Sequence, residues 1–223
     1  MIKLMEDPFR DAREKMVEEQ LILRGIKNSL VLKAFSNVPR ECFVTEENIE
    51  RAYEDHPLPT ILGQTISQPY MMALMTELLE LPPEGGAKIL EIGTGSGYQA
   101  AILAYMGNDV VSVEKLPELA KFAEKNLTGF NFGGKIKICV GDGCDGAPED
   151  APFDGVVVTA ASPKIPPAIM KQCKIGGRIV IPVGNLFFQE LIVAVKKNDE
   201  DFDIIKSIGC RFVPLIGKDG FSV

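Results

Sequence analysis

Histidine is almost absent from this 223-residue chain, whose single example is His56. The five cysteines form no CxxC pair, so neither a zinc site nor a disulfide framework is expected, and reduced, buried thiols are favoured. No apolar run approaches the ~20 residues that a membrane-spanning helix needs. The first residues are too charged for a signal peptide. These absences predict a soluble, cytoplasmic protein without bound metal, with His56 solvated or fixing a loop.

Basic residues are in the minority, since 24 Lys and Arg stand against 31 Asp and Glu, for a net charge of −7. Nucleic-acid binding depends on Lys and Arg at the phosphates, so no nucleic-acid partner is expected. Hydrophobic residues make up 46% of the chain, which is enough for the core of one domain. We therefore expect one domain over residues 1–223, acting as a monomer.

The N-terminal part has helical patterns. Two helices are predicted over residues 8–35, the first with Asp7 as N-cap and Gly25 as its stop. Another is predicted from Pro69 to about Leu81. Its apolar spacing predicts that one face is formed by Met71, Leu74, Met75 and Leu78.

Beyond residue 81, short apolar runs alternate with helical patterns, which is typical of a parallel sheet covered by helices on both faces. The last two runs lack a helix between them and predict an antiparallel hairpin at the sheet edge. The fold expected is α/β, a doubly wound, mostly parallel seven-stranded sheet with N-terminal helices. The strand-like runs are KILEIG, DVVSVE, KIKICVG, FDGVVVTA, GRIVIPVG, ELIVAVKK and DIIKSIGCRFVPL.

Three alternating glycines, Gly93, Gly95 and Gly97, lie between a strand and a helix. Such glycines let the backbone turn tightly and approach a ligand at the N-terminus of the helix. Tyr98 and Gln99 follow instead of the Lys-Ser/Thr of a P-loop, and Tyr98 replaces the last small residue of the dinucleotide motif. A pyrophosphate ligand is therefore disfavoured, although a tight turn without a ligand stays open.

Two carboxylates flank this turn. Glu114 ends the next strand, where a carboxylate can bind ribose hydroxyls. Glu91 lies two residues before Gly93, where it would repel a pyrophosphate but suit a ligand with ammonium and sulfonium charges. With Asp142-Gly143 after the following strand, the pattern resembles the S-adenosylmethionine motif of Rossmann-like methyltransferases. Taken alone, Asp142-Gly143 could also be a simple turn.

Segments outside this motif, MVEEQLILRGI, VPRECFV, GQTISQPYMMALMTELLEL and RFVPLIG, together resemble the protein-L-isoaspartate O-methyltransferases. The resemblance runs from about Met16 to Gly217 and implies methylation of the free α-carboxylate of L-isoaspartyl residues in damaged proteins and peptides, with S-adenosylmethionine as methyl donor and S-adenosylhomocysteine as product. It also implies that residues 1–80 contact the substrate and residues 81–223 form the cofactor-binding core and C-terminal strands. The cofactor-binding residues that it implies are Ile66, Glu91, Gly93, Thr94, Gly95, Ser96, Gly97, Glu114, Lys115, Asp142, Gly143 and Thr159.

The same resemblance implies catalytic roles for Ser67 and Thr65, beside the transferred methyl group. A carboxylate acceptor is ionised at neutral pH, so no general base is required, and a hydroxyl can orient it. The alternative for Ser67 is an N-cap ahead of Pro69. The resemblance further implies a substrate-binding set of Gln64, Ser67, Arg211, Phe212, Val213 and Pro214.

Several of these residues could instead have purely structural roles. Gln64 fits an exposed loop residue, and Phe212 and Val213 fit packing of an edge strand. Arg40 is expected to pair with Glu41 or another local acid. Other functions also stay open: methylation of a small molecule or RNA, hydride transfer with a nicotinamide cofactor, or a sensor that binds the cofactor without turnover.

Overall fold

A seven-stranded sheet lies at the centre of the fold, as described by a computed structural model for residues 7–222. Its strands lie in the order β5-β4-β3-β6-β7-β8-β9. The predicted mostly parallel α/β fold with seven strands is confirmed. The strands are β3 (Lys88–Ile92), β4 (Asp109–Glu114), β5 (Ile136–Val140), β6 (Phe153–Val158), β7 (Cys173–Gly184), β8 (Gln189–Lys196) and β9 (Phe202–Cys210).

The first five strands of the sheet pair in parallel, and β8 runs antiparallel to both of its neighbours. The antiparallel hairpin predicted at the edge is thus confirmed as β8–β9. The last strand ends at Cys210, however, and does not continue to Leu215 as its apolar pattern indicated. Residues 211–216 instead cross the carboxyl end of the sheet, where the N–H of Ala161 donates to the carbonyl oxygen of Val213 over 2.8 Å.

Helices cover both faces of this sheet. Among them α4 is buried along nearly its whole length, which explains why its sequence is apolar or aromatic except for Gln99. Ala100 and Leu103 of α4 pack towards the sheet, whereas Tyr98 and Ile102 pack against the N-terminal helices. Those helices therefore form a further layer over α4. The helices are α1 (Arg10–Lys15), α2 (Ser29–Asn37), α3 (Pro69–Leu78), α4 (Tyr98–Tyr105), α5 (Pro117–Leu127) and α6 (Pro167–Gln172).

The first N-terminal helix starts later than predicted, at Arg10, because residues 8 and 9 form a turn. The carboxylate of Asp7 accepts a hydrogen bond from the N–H of Phe9 in that turn, but Phe9, not Asp7 as predicted, occupies the N-cap position of α1. After α1 the chain continues as a π-helix over Met16–Ile22 and stops at Gly25, whose φ of +95° confirms the predicted stop.

Helix α3 ends at Leu78, three residues before the predicted end. The predicted apolar face does pack against the core, with Met75 buried and Met71, Leu74 and Leu78 partly buried beside it. It is not the only buried side, because Met72, Ala73 and Thr76 are buried as well. The reason is that α3 is covered on two sides. Met72 packs with the N-terminal helices, whereas Met75 packs with residues of the sheet. The segment before α3 holds a small antiparallel pair, β1 (Leu58–Pro59) and β2 (Thr65–Ile66).

Across residues 7–222, none of the helices combines the length and the apolar character that a membrane crossing would require.

Candidate functional site

A cavity of about 1050 Å³ opens at the carboxyl ends of β3, β4 and β6. Ligands of open α/β sheets bind at this edge. Both parts of the chain contribute to its lining. The N-terminal part supplies residues 63–68, and the α/β core supplies residues 91–96, 113–116 and 208–216.

The glycine-rich turn forms the floor of the cavity between β3 and α4. Gly93, Gly95 and Gly97 all have positive φ, of +91°, +57° and +88°, a conformation that other residues adopt only with strain. A Cβ on Gly93 would lie 2.5 Å from Oγ1 of Thr159. That hydroxyl donates to the carbonyl oxygen of Gly93 over 2.7 Å and so fastens the turn to the end of β6.

Glu91 is the most buried acid of the site, with 0% of its surface exposed. Ser112 donates to one of its carboxylate oxygens, Oε2, and the hydroxyls of Ser112 and Thr94 lie 2.6 Å apart. The other oxygen, Oε1, has no hydrogen-bond partner among the described residues. Burial, together with the nearby charge of Glu114, raises the pKa of Glu91 to about 8. Glu91 is therefore largely protonated near neutral pH until a cation lies beside it.

Glu114 ends β4, and both of its carboxylate oxygens are oriented by the backbone. Oε2 accepts from the N–H of Gly95 and Oε1 from the N–H of Leu116, each at 3.0 Å. Each oxygen keeps a further lone pair for a ligand hydroxyl. Beside it, Nζ of Lys115 donates to the carbonyl oxygen of Ile216 over 2.9 Å. Glu114 and Lys115 thereby link the glycine-rich turn at Gly95 to the C-terminal segment at Ile216.

Asp142 does not line the cavity, although its neighbour Gly143 does. The carboxylate of Asp142 accepts hydrogen bonds from the N–H of Cys144 at 2.9 Å and of Lys218 at 3.3 Å. Burial alone would raise the pKa of Asp142, but these N–H groups and the charge of Lys115 hold it below its ordinary value. In this structure the contact expected from Asp142 is directed at the C-terminal turn, and only Gly143 borders the cavity.

Across the cavity from the glycine turn lies Thr65-Ile66-Ser67. Ile66 is buried by its pairing opposite Leu58, whereas Thr65 is exposed and Ser67 is half-buried. Gln68, not Ser67, occupies the N-cap position of α3, so the capping alternative for Ser67 is wrong. The hydroxyls of Thr65 and Ser67 make no hydrogen bond to any of residues 7–222, which leaves Ser67 free at the cavity surface.

Arg40 fixes the backbone of this segment from its buried side. The sequence did not identify Arg40 as a residue of the site. It is fully buried, and its Nη2 donates to the carbonyl oxygen of Ser67 over 2.8 Å, while Nε donates to that of Ala52 over 2.7 Å. Burial lowers the pKa of Arg40 to about 10. The expected pairing with Glu41 or another local acid is wrong, because Arg40 forms no ion pair within residues 7–222 and Glu41 pairs with Arg13 at 2.9 Å. A hint was present in the sequence: Arg40 lies between Val38 and Phe43, both of which are buried.

Gln64 and the four residues Arg211–Pro214 also line the cavity. The N–H of Phe212 donates to Oε1 of Gln189 over 2.8 Å. Phe212 and Val213 pack on the core from beyond the end of β9, so they are not residues of an edge strand. Further lining residues that the sequence reasoning did not select include Arg24, Tyr70 and Leu186.

His56 lies outside the cavity lining, in an exposed loop with its Nε2 2.6 Å from the carboxylate of Glu54, as a loop-fixing residue would. Among residues 7–222 no group of three His, Cys, Asp or Glu side chains is arranged to hold a metal ion.

Comparison with known proteins relates the whole chain to one family. A profile of the protein-L-isoaspartate(D-aspartate) O-methyltransferase (PCMT) family matches residues 11–220. Protein-L-isoaspartate O-methyltransferase of Methanoculleus marisnigri is 50% identical over 216 residues, or 96% of each chain. That of Methanopyrus kandleri is 46% identical over 216 residues, covering 96% of this chain and 95% of the relative.

Solved structures agree with this relationship. A protein-L-isoaspartate O-methyltransferase superposes with a TM-score of 0.82 at 32% identity, covering 93% of this chain and 66% of that one. A Plasmodium falciparum structure in complex with S-adenosyl-L-homocysteine superposes with a TM-score of 0.78 over 92% of this chain and 98% of that one. At 24% identity the second likeness supports the fold alone.

Proposed function

Because the chain belongs to the protein-L-isoaspartate(D-aspartate) O-methyltransferase family, we propose that its cavity transfers a methyl group from S-adenosylmethionine to the free α-carboxylate of L-isoaspartyl residues. The following backbone nitrogen then attacks the ester carbonyl carbon and methanol leaves, giving a succinimide that begins repair of the damaged protein. One observation carries the proposal: the hydroxyl of Ser67, which makes no hydrogen bond to residues 7–222, lines the same cavity as a glycine-rich turn flanked by two acids.

We call residues 91–96 and 113–116 the cofactor half of the cavity, and residues 64–68 and 211–214 the acceptor half. The cofactor half fits S-adenosylmethionine in its polar groups. Glu91 has a buried, unpaired oxygen that suits a positively charged ligand, and Glu114 offers lone pairs to ribose hydroxyls. When bound, the cofactor supplies a methyl group on a sulfonium ion and leaves as S-adenosylhomocysteine.

The acceptor half has to place a carboxylate in line with that methyl group. A free α-carboxyl group has a reference pKa of about 3.5, so it is ionised at neutral pH and needs no base. Ser67 can donate a hydrogen bond that orients it, with Thr65 as a second donor at the rim. The carbonyl oxygen of Ser67 is held by Arg40, so the position of the hydroxyl depends on a buried contact.

The test is methyl transfer from labelled S-adenosylmethionine to two peptides that differ only in one aspartyl linkage. We expect base-labile label on the L-isoaspartyl peptide and none on the L-aspartyl peptide. Ser67→Ala should lower kcat by about 10- to 100-fold, the loss expected for one hydrogen bond to a charged group, with unchanged affinity for S-adenosylhomocysteine. Ser207→Ala, an exposed serine outside the cavity, is the matched control. Cofactor binding without label on either peptide would overturn the proposal.

Domain organisation, location and oligomeric state follow from the same interpretation. We propose that residues 1–223 form one unit, in which residues 1–80 contact the acceptor and residues 81–223 hold the cofactor; both parts line the cavity. We also propose a cytoplasmic monomer that binds no nucleic acid, which the net charge of −7 supports. Sedimentation of the purified protein with and without RNA tests the last two points together.

A further inference from the structure

Three consecutive apolar residues project from the loop that joins β7 to β8. Leu186, Phe187 and Phe188, here called the apolar tip, are 54%, 88% and 63% exposed. Single exposed apolar residues are common on protein surfaces, but a contiguous cluster marks a site of interaction. The apolar tip is therefore expected to bind a partner.

The apolar tip is held in a defined conformation. Oδ1 of Asn185 accepts hydrogen bonds from the N–H groups of Phe187 and Phe188, both at 2.9 Å. Nε2 of Gln189 donates to the carbonyl oxygen of Asn185 over 2.7 Å. The ring of Phe188 lies over Gly209 of β9, where an added Cβ would come 3.5 Å from the ring. The backbone of the tip and the ring of Phe188 are therefore ordered before a partner binds, which lowers the entropy cost of binding.

The apolar tip is also continuous with the acceptor half of the cavity. Leu186 itself lines the cavity, together with Ile208 and Gly209. Gln189, which supports the tip through Asn185, also accepts the hydrogen bond from the N–H of Phe212. One side chain thus couples the position of the tip to the segment that borders the acceptor.

The net charge of the chain gives no long-range attraction for a negatively charged acceptor, so charge can help only locally, at lining residues such as Arg24 and Arg211. The chain carries a net charge of −7, and an isoaspartyl residue carries a negative carboxylate. Burial of apolar surface is attractive irrespective of charge and resists salt screening. Polypeptides that unfold around a damaged site expose apolar side chains of the kind that phenylalanine rings bind.

We propose that the apolar tip binds an apolar side chain of the acceptor polypeptide next to the isoaspartyl residue, and thereby directs the enzyme to damage in unfolded apolar segments. This inference rests on the proposed function. It makes Phe187 a specificity-determining residue, outside the catalytic machinery. The contact is made by side chains, so it discriminates among flanking sequences that backbone contacts would treat alike.

The experiment compares two isoaspartyl-glycine peptides, one flanked by Val and Leu and the other by Ser. For the wild-type protein we expect kcat/KM to favour the apolar peptide by about tenfold, equivalent to about 1.4 kcal/mol. Phe187→Ser should reduce that preference to less than about threefold, through KM and without loss on the Ser-flanked peptide. Ile175→Ser is the matched control, because Ile175 is 65% exposed and lies away from the cavity.

A second measurement is independent of turnover. Fluorescence anisotropy with the S-adenosylhomocysteine complex should give tighter binding of the apolar peptide, and Phe187→Ser should remove the difference. Equal labelling of both peptides by the wild-type protein overturns this inference alone, as does an unchanged preference in Phe187→Ser. Failure to label either peptide, with cofactor binding intact, overturns the proposed function and this inference together.

Discussion

In the cofactor half of the cavity, the hydroxyl of Thr94 is hydrogen-bonded to Ser112 just behind the lining, and at the adjoining end of β6 the hydroxyl of Thr159 donates to Gly93. The hydroxyl of Ser96 bonds to none of residues 7–222. In the acceptor half, the hydroxyls of Thr65 and Ser67 bond to none of residues 7–222. The cofactor half is thus assembled in advance for one constant ligand. The acceptor half keeps its hydroxyls available for a carboxylate that arrives on many different polypeptides.

The two halves also differ in how their backbones are held. In the cofactor half, positive φ at the glycines and side chains of neighbouring strands fix the turn. In the acceptor half, a buried guanidinium does so, since Arg40 donates to the carbonyl oxygens of Ser67 and Ala52. Substitutions in the cofactor half should therefore affect cofactor binding, and substitutions in the acceptor half should affect turnover.

The largest effect is expected from Gly93→Ala, which disrupts the cofactor half of the cavity. Its Cβ would meet Oγ1 of Thr159 at 2.5 Å in a backbone conformation that disfavours alanine, at φ +91°. We expect affinity for S-adenosylhomocysteine to fall by about 100-fold or more, equivalent to at least about 3 kcal/mol, as measured by calorimetry. Gly176→Ala is the control, because φ is +82° there but no atom lies within 4 Å. Equal losses in both variants would contradict the role given to the Thr159 contact.

Arg40→Met should have the next largest effect and break the acceptor half selectively. It keeps an unbranched side chain but leaves the carbonyl oxygens of Ser67 and Ala52 without their donor. Each buried group left unpaired costs about 1–3 kcal/mol, so the melting temperature should fall. We also expect kcat to fall by about tenfold or more, as expected for a misplaced catalytic group.

A general loss of structure would not reproduce the expected pattern for Arg40→Met, in which affinity for S-adenosylhomocysteine is retained while kcat falls. Arg40→Lys keeps the charge with a single ammonium and should recover part of kcat. Arg51→Met, at an exposed arginine paired with Glu54, serves as the control for loss of a positive charge.

Glu91→Gln tests the cofactor half through the pH dependence of the protein's stability. Glu91 keeps its proton in the folded protein up to about pH 8, while the unfolded chain loses it above about pH 4.5. The stability contributed by the protonated form is therefore complete below pH 4.5 and is lost as the pH rises towards 8. The unfolding free energy of Glu91→Gln, relative to that of wild type, should rise across this window by on the order of 1 kcal/mol per pH unit, and its relative melting temperature should rise with it. Parallel curves for the two proteins would refute the raised pKa.

The smallest effect is expected from Lys115→Met, at the rim of the cofactor half. Its ammonium donates one hydrogen bond to the carbonyl oxygen of Ile216 in an exposed position. Exposed interactions of this kind contribute about 0–1 kcal/mol. Affinity for S-adenosylhomocysteine should fall by less than about fivefold, and a much larger loss would mean that Lys115 binds the cofactor directly.

The fold was largely predictable because its signals are local. Short apolar strands punctuated by glycine predict the parallel sheet, and the missing helix between the last two strands predicts the edge hairpin. Errors arose where packing decides. The apolar pattern of β9 continues past Cys210, yet the chain leaves the sheet there to cross its carboxyl end. Likewise, α3 has two covered sides, which a pattern for one face cannot describe.

By itself the sequence determined the glycine turn and the two acids that flank it, because positive φ and the spacing after a strand are properties of neighbouring residues. Only the tertiary structure decided that Ser67 does not cap α3, that Arg40 holds the carbonyl of Ser67, and that Asp142 faces the C-terminal turn. The last two depend on partners 27 and 76 positions away in the chain. Which partner a buried polar group finds is settled by how distant segments pack, and no local pattern contains that information.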